Sequence, residues 1–175
     1  MITVFTRYTH DELKTRVAEI LQQNEQLHAG AIAEQLQVTE GEVVLSLPSE
    51  LVFPMAGNLA QTIAEALPSW GPVTTIVHSM GSIFEVKASF PKGKLARGYY
   101  NLMGKEGELH GHLRLDLVEH IALVSKPFMG QESYFIGFFA AQGECVFKVY
   151  LGRDKQRNLY PEQIEKFQQL KLLVS

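Results

Sequence analysis

The spacing of apolar residues divides the chain into a helical first third and a strand-rich remainder. Leu13, Val17 and Ile20 recur at helical intervals, and Thr9 and Glu12 before them form a capping box. The same reasoning predicts three more helices, near 30–36, from Thr39 to Leu47 and near 57–67. Two prolines within P-S-W-G-P (68–72) then mark a change of architecture.

From Val73 onward the pattern changes to short runs of alternating or continuous apolar residues, which is typical of strands. A hairpin is predicted across Gly81, and F-P-K-G-K-L-A-R-G (90–98) is predicted to be a basic loop. Further strands are expected within 98–104, 111–117, 120–128, 133–141 and 145–153. Their short connections favour antiparallel neighbours, because parallel strands need long crossovers.

The predicted fold is therefore α+β, in one domain over residues 1–175. It consists of a helical, helix-turn-helix-like cap (1–67), an antiparallel meandering sheet (73–153) and a C-terminal helix (160–173). Pro161 suits the first turn of that last helix.

Composition restricts the class of protein. The chain has 175 residues, of which 46% are hydrophobic, and Cys145 is its only cysteine, so a globular fold without disulfides is expected. The first residues show no basic segment followed by an apolar stretch, and no apolar run reaches the roughly 18 residues of a membrane span. We expect a cytoplasmic protein with no membrane insertion.

Charge is distributed unevenly along the chain, and this bears on whether the protein binds nucleic acid. Residues 1–50 have a net charge of −5, whereas residues 51–175 have a net charge of +2. The segment A-I-A-E-Q-L-Q-V-T-E-G-E-V-V-L-S-L (31–47) resembles a helix-turn-helix, but its second helix contains Glu40 and Glu42 and no basic residue. A DNA-binding regulator stays an alternative, and the acidic charge argues against binding of nucleic acid.

Six histidines and a basic, aromatic run supply the candidate chemistry. His110 and His112 form H-G-H, which on a strand is half of a metal site or a pair of surface residues. Leu113, Leu115 and Leu117 alternate with His112, so the leucines are expected to face the core and His112 the opposite side. His78 lies just before the predicted hairpin turn.

The run K-G-K-L-A-R-G-Y-Y-N-L-M-G (92–104) combines Lys92 and Arg97 with Tyr99 and Tyr100. Cations pair with carboxylates, tyrosine rings offer a flat apolar surface, and a phenolate oxygen can bind ferric iron. The chain shows no nucleophile motif and no dinucleotide-binding glycine pattern. Cys145, inside an apolar strand, is expected to be a buried, inert thiol.

Several strings together resemble the HutX/ChuX family of haem-utilisation carriers, which is part of a HemS/ChuS-like superfamily. They are V-T-T-I-V-H (73–78), G-Y-Y-N-L-M-G-K (98–105), H-I-A-L-V with K-P-F-M-G (120–130), and V-Y-L-G-R-D with L-Y-P-E-Q-I-E-K-F (149–167). The segment G-K-E-G-E-L-H-G-H (104–112) has one more residue than the family pattern, so both His110 and His112 stay candidates for its histidine.

The resemblance implies a cytosolic homodimer that binds haem non-covalently as cargo and delivers it to a haem-degrading enzyme. It implies that His78, Tyr99 and His112 are candidate iron ligands or their neighbours, with Tyr100 beside them. Lys92, Arg97 and Arg153 are then expected to meet the haem propionates. A haem-degrading or tetrapyrrole-processing enzyme is the alternative function, although no oxygen-activating or flavin motif is recognisable.

Overall fold

The computed structural model describes residues 7–174; the first six residues and Ser175 of the predicted domain lie outside the described residues. Within this range the α-helices are α1 (His10–Gln23), α2 (Ala29–Leu36), α3 (Glu40–Leu45), α4 (Ala60–Ala66) and α5 (Pro161–Gln169). Short 3₁₀ segments cover Gly57–Leu59, Leu67–Trp70, Leu115–Leu117 and Leu170–Val174. No helix among residues 7–174 is long and apolar enough to cross a bilayer.

The described strands form two antiparallel sheets. Their bounds are β1 (Val52–Ala56), β2 (Pro72–Ser79), β3 (Ser82–Ser89), β4 (Gly93–Ala96), β5 (Tyr99–Leu102), β6 (Gly111–Leu113), β7 (Val118–Ser125), β8 (Tyr134–Ala140) and β9 (Cys145–Leu151). The large sheet has the order β1-β7-β8-β9-β2-β3, and the small sheet has the order β4-β5-β6. The predicted antiparallel α+β class is thus confirmed, but β9 returns to pair with β2, so the strands do not follow one another as a single meander.

Both faces of the central strands β7, β8 and β9 are covered, which explains their near-continuous apolar sequence. On β7, Ile121 and Leu123 join a buried cluster with α4, α5 and the small sheet. Ala122 and Val124 point the other way, into a second cluster under α1, α2 and α3. Strand β3, at the end of this sheet, is by contrast largely exposed.

The predicted helix starts are confirmed. Thr9 and Thr39 cap α1 and α3, and the carboxylates of the glutamates three residues later accept hydrogen bonds from the backbone N–H groups of these threonines, which completes both capping boxes. These helix starts can be predicted from the sequence because each capping box is a local interaction, complete within four residues.

Three elements differ from the predictions. Strand β1 lies inside the predicted helical cap (1–67), between its third and fourth predicted helices, and it forms one edge of the large sheet beside β7. The predicted basic loop contains strand β4, which pairs with β5. The strand expected over 111–117 ends at Leu113; a 3₁₀ turn follows, so that Leu115 is buried but Leu117 is exposed.

Candidate functional site

Strand β5 has one face toward the core and one toward solvent. Tyr100 is only 1% exposed, whereas its neighbour Tyr99 is 40% exposed. Cross-strand pairing places Asn101 opposite His112 on β6 and opposite Lys94 on β4, so these three side chains share the exposed side with Tyr99. We call these four residues the outer face of the small sheet.

On the outer face, two of the predicted iron ligands lie side by side. The ring of Tyr99 meets that of His112 edge-on, with 5.7 Å between centroids. The guanidinium carbon of Arg114 lies 5.8 Å from the centre of the Tyr99 ring. The phenol of Tyr99, the imidazole of His112 and the guanidinium of Arg114 are therefore adjacent. A phenol oxygen and an imidazole nitrogen can both be ligands of haem iron.

Arg114 is held in place by Asp116. Its Nε and Nη2 donate to the two carboxylate oxygens at 2.8 and 2.7 Å. These hydrogen bonds raise the pKa of the Arg114 guanidinium and lower the pKa of the Asp116 carboxyl. The paired geometry fixes where the guanidinium meets the Tyr99 ring.

Tyr100 lies on the inner face, where its ring packs directly over Gly93. Burial raises the pKa of its phenol, and the carboxylate of Glu65 adds to that effect. Tyr100 and Lys92 line a cleft of about 430 Å³ between α4 and β4. Arg97 is exposed at the β4–β5 turn, with a positive φ of 55°. The two tyrosines thus have opposite environments, and only Tyr99 joins the outer face.

His78 lies on the large sheet, whereas Tyr99 and His112 lie on the small sheet. It is near the β2–β3 turn, opposite Ile83. The candidate iron ligands of the chain thus belong to two different sheets.

The neighbours of His78 are charged and mostly buried. Its Nδ1 lies 3.6 Å from Glu40 Oε2, and Glu40 Oε1 accepts a 2.5 Å hydrogen bond from Lys148 Nζ. Partial burial and the charge of Lys148 lower the pKa of His78, while Glu40 acts in the opposite direction. Helix α3 is thus joined to the sheet by an ion pair beneath His78.

Two other residues from the sequence analysis lie elsewhere. Arg153 uses its guanidinium to donate to the backbone carbonyls of Glu132 and Arg157 near the end of β9. Cys145 is partly buried on β9, and burial raises its thiol pKa to about 12. Neither belongs to the outer face.

Two alternatives are not favoured by the described residues. Gly41, Glu42, Val43 and Val44 of α3 are buried, so the second helix of the helix-turn-helix-like unit is covered and cannot enter a DNA groove in this arrangement. Among residues 7–174, no group of three or more His, Cys, Asp and Glu side chains is placed to hold a metal ion, so H-G-H is not extended into a metal site.

Sequence reasoning missed Asn101, Arg114, Glu40 and Lys148 as neighbours of the candidate ligands. Asn101 had a detectable signal, since it is two residues from Tyr99 on the same strand. Lys148 and Glu40 had none, because 108 residues separate them in sequence.

The sequence is similar to that of a known protein family and of a named relative. Residues 54–170 match the family model described as haem utilisation ChuX/HutX. A protein of Vibrio cholerae serotype O1, named intracellular heme transport protein HutX, is 61% identical over 159 residues, which are 91% of this chain and 82% of that protein.

Several solved structures also resemble the fold of this chain. One, described as the heme binding protein ChuX, is 34% identical with a TM-score of 0.80 and covers 90% of this chain and 98% of its own. The heme degrading enzyme ChuS of Escherichia coli O157:H7 is 21% identical with a TM-score of 0.75, covering 91% of this chain and 46% of that one. This last likeness concerns the fold alone, and it matches our chain to about half of ChuS.

Proposed function

This chain belongs to the haem utilisation ChuX/HutX family, and we propose that it is a haem carrier that binds the cofactor non-covalently as cargo. The observation that supports this most directly is the pair of Tyr99 and His112, in edge-to-face contact on an exposed sheet surface. Because haem is a flat apolar disc with an electron-accepting iron and two carboxylates, it needs a donor, an apolar surface and cations.

We assign Tyr99 and His112 as the donors on the iron side. Arg114, over the Tyr99 ring, would sit beside any phenolate formed when iron binds. Lys92 and Arg97 are close to the outer face in sequence and, with Lys94 on it, are the cations that we assign to the propionates. We leave Arg153 out of this assignment because Nη1 and Nη2 of its guanidinium each donate to a backbone carbonyl.

A carrier has to release its cargo, and the exposure of the outer face fits this need. Tyr99 lies at the surface and not in an enclosed cavity, so an acceptor protein can approach the bound haem without unfolding the carrier. We propose that the acceptor is a haem-degrading enzyme and that transfer takes place in the cytoplasm. The same exposure favours a carrier over a haem-degrading enzyme, which has to shield reactive intermediates from water.

We further propose that the working form is a homodimer. Strand β3 is the free edge of the large sheet, and its Ile83 and Phe84 are 63% and 61% exposed. The unpaired backbone groups of an exposed edge strand are a template for pairing with another chain. A second copy would also offer its own His78, which lies beside this edge strand, opposite Ile83.

The test is a titration of the purified apoprotein with hemin, followed by the Soret band and by the visible charge-transfer bands. Saturable binding at micromolar hemin is expected for the wild type. Tyr99→Phe and His112→Ala should weaken binding and shift the bands, while His10→Ala and Tyr160→Phe control for loss of a histidine or tyrosine elsewhere. Wild-type behaviour of both site variants would show that the outer face is not the site.

The dimer and the carrier role need separate measurements. Sedimentation of the wild type and of Phe84→Lys reports the oligomeric state, and a monomeric wild type would contradict the dimer. Incubating the haem complex with a reductant in air, with catalase present, should leave the tetrapyrrole intact. A regiospecific ring-opened product would instead favour the enzyme. His78→Ala should weaken hemin binding only if the dimer forms.

A further inference from the structure

The side chain of Asn101 links the turn between β4 and β5 to His112. Its Nδ2 lies 3.0, 3.1 and 3.1 Å from the backbone oxygens of Lys94, Ala96 and Tyr99. Its Oδ1 lies 2.7 Å from Nδ1 of His112. One amide thus meets three carbonyl groups at its nitrogen end and an imidazole at its oxygen end.

This arrangement fixes the orientation of the amide. Backbone carbonyl oxygens only accept hydrogen bonds, so the end of the Asn101 side chain that faces three of them has to be the NH₂ group. A flipped amide would place its oxygen against the carbonyl oxygens and leave two donors facing His112. The oxygen end therefore faces His112.

The tautomer of His112 follows from the amide. Because Oδ1 of Asn101 is purely an acceptor, the ring nitrogen 2.7 Å away has to donate to it. Nδ1 of His112 therefore has the hydrogen, and in the neutral imidazole the lone pair is on Nε2. Without a partner, a neutral imidazole is free to place its proton on either nitrogen.

We propose that Asn101 is a positioning residue that holds His112 as the Nδ1–H tautomer, so that Nε2 is the atom presented to haem iron beside Tyr99. This inference rests on the proposed function, since it gives the tautomer a role in haem binding. A hydrogen bond to the second nitrogen of a ligating histidine fixes the ring and strengthens the donor, and its loss typically lowers metal affinity about 10- to 100-fold.

Asn101 could instead have only a structural role, in which its NH₂ group stabilises the β4–β5 turn. Two variants distinguish this role from the positioning of His112. Asn101→Asp keeps an acceptor for His112 but loses the donor to the three carbonyls, whereas Asn101→Ala loses both. If the turn alone matters, the two variants behave alike. If positioning matters, Asn101→Asp keeps the His112 tautomer and loses less haem affinity than Asn101→Ala, which also loses the tautomer.

The first measurement is made on the protein without haem. Nitrogen-15 correlation spectra at alkaline pH distinguish the two neutral tautomers, and comparison with His112→Gln identifies the His112 signals. We expect the Nδ1–H form in the wild type and in Asn101→Asp, and a mixture in Asn101→Ala. An Nε2–H form in the wild type would overturn the inference, whatever haem does.

The second measurement is the hemin titration on the same proteins. We expect Asn101→Ala to bind about 10- to 100-fold more weakly, with altered visible bands, and Asn101→Asp, which keeps the acceptor for His112, to lose clearly less affinity. Wild-type affinity in Asn101→Ala, or equal losses in both variants, would overturn the positioning role. If the tautomer is as inferred but His112→Gln binds hemin like the wild type, the error is in the proposed site. If Asn101→Ala does not fold, Asn101→Ser, which also lacks the planar acceptor, replaces it.

Discussion

The ion pair between Lys148 on β9 and Glu40 on α3 should contribute measurably to stability. The two side chains are 7% and 12% exposed, and their charged atoms are 2.5 Å apart. Lys148→Met removes the ammonium group while keeping an unbranched stem that can still pack near the ring of Phe135. The substitution leaves Glu40 largely buried and without its cation, since the lowered pKa of His78 keeps that neighbouring ring neutral near pH 7.

The magnitude follows from the burial of the pair. At 2.5 Å and an effective dielectric constant of about 20, the attraction is about 7 kcal/mol, but desolvation of both groups cancels much of it. Removing one partner of a buried pair costs about 3–5 kcal/mol, and the residual exposure here favours about 3. With a urea dependence of about 2 kcal/mol per molar, the unfolding midpoint should fall by roughly 1.5 M.

Urea unfolding followed by the fluorescence of Trp70, the single tryptophan, measures this directly. Glu40→Gln and the double variant complete a cycle, in which the double variant should lose about 2 kcal/mol less than the sum of the single losses. Lys166→Met is the control, because Lys166 donates to the carbonyl of Ser69 at an exposed site. A midpoint for Lys148→Met within error of the control, or strictly additive losses in the cycle, would refute the reasoning.

Two further predictions concern titrating groups. Since burial raises the thiol pKa of Cys145 to about 12, alkylation by iodoacetamide at pH 8 should be roughly a thousand-fold slower in the folded protein than in urea; comparable rates would contradict its burial. Burial lowers the pKa of His78 and of His120, so the unfolded state binds more protons, and stability present above about pH 6.5 is lost as the pH falls toward the folded values. The urea concentration at the unfolding midpoint should therefore decrease when the pH is lowered from 7.5 to 5.5, and it should decrease less in His120→Gln. An equal decrease in that variant would exclude His120 as a source of the pH dependence.

The parts of the fold that were predicted correctly depend on neighbours in sequence. The capping boxes at Thr9 and Thr39 and the hairpin across Gly81 are each complete within a few residues. Strand β1 was missed because Val52–Ala56 is short and includes a proline, and its strand character comes from pairing with β7, about 70 residues later. Its proline is tolerated because β1 is an edge strand.

The features of the site that were predicted correctly also depend on residues that are close in sequence. The exposed position of His112 was predicted correctly from alternation with Leu113, although the strand is shorter than expected. The opposite environments of Tyr99 and Tyr100 also follow from alternation, but which of them faces solvent depends on the cluster beneath β5. That Arg153 is engaged by the carbonyls of Glu132 and Arg157 depends on a loop contact that no local pattern indicates.

The distribution of buried surface limits where a flat ligand can bind. The central strands of the large sheet are covered on both faces, so the outer face of the small sheet and strand β3 are the surfaces that we consider for a disc the size of haem. The outer face covers only one side of such a disc, and Ile83 and Phe84 on β3 expose apolar surface. When β3 of a second copy covers the other side, haem contacts both copies, and haem binding and pairing then favour each other. Phe84→Lys would then lower the hemin affinity as well as the fraction of dimer, although Phe84 and Tyr99 belong to different sheets of the chain; an unchanged affinity in a monomeric variant would show that one chain forms the whole site.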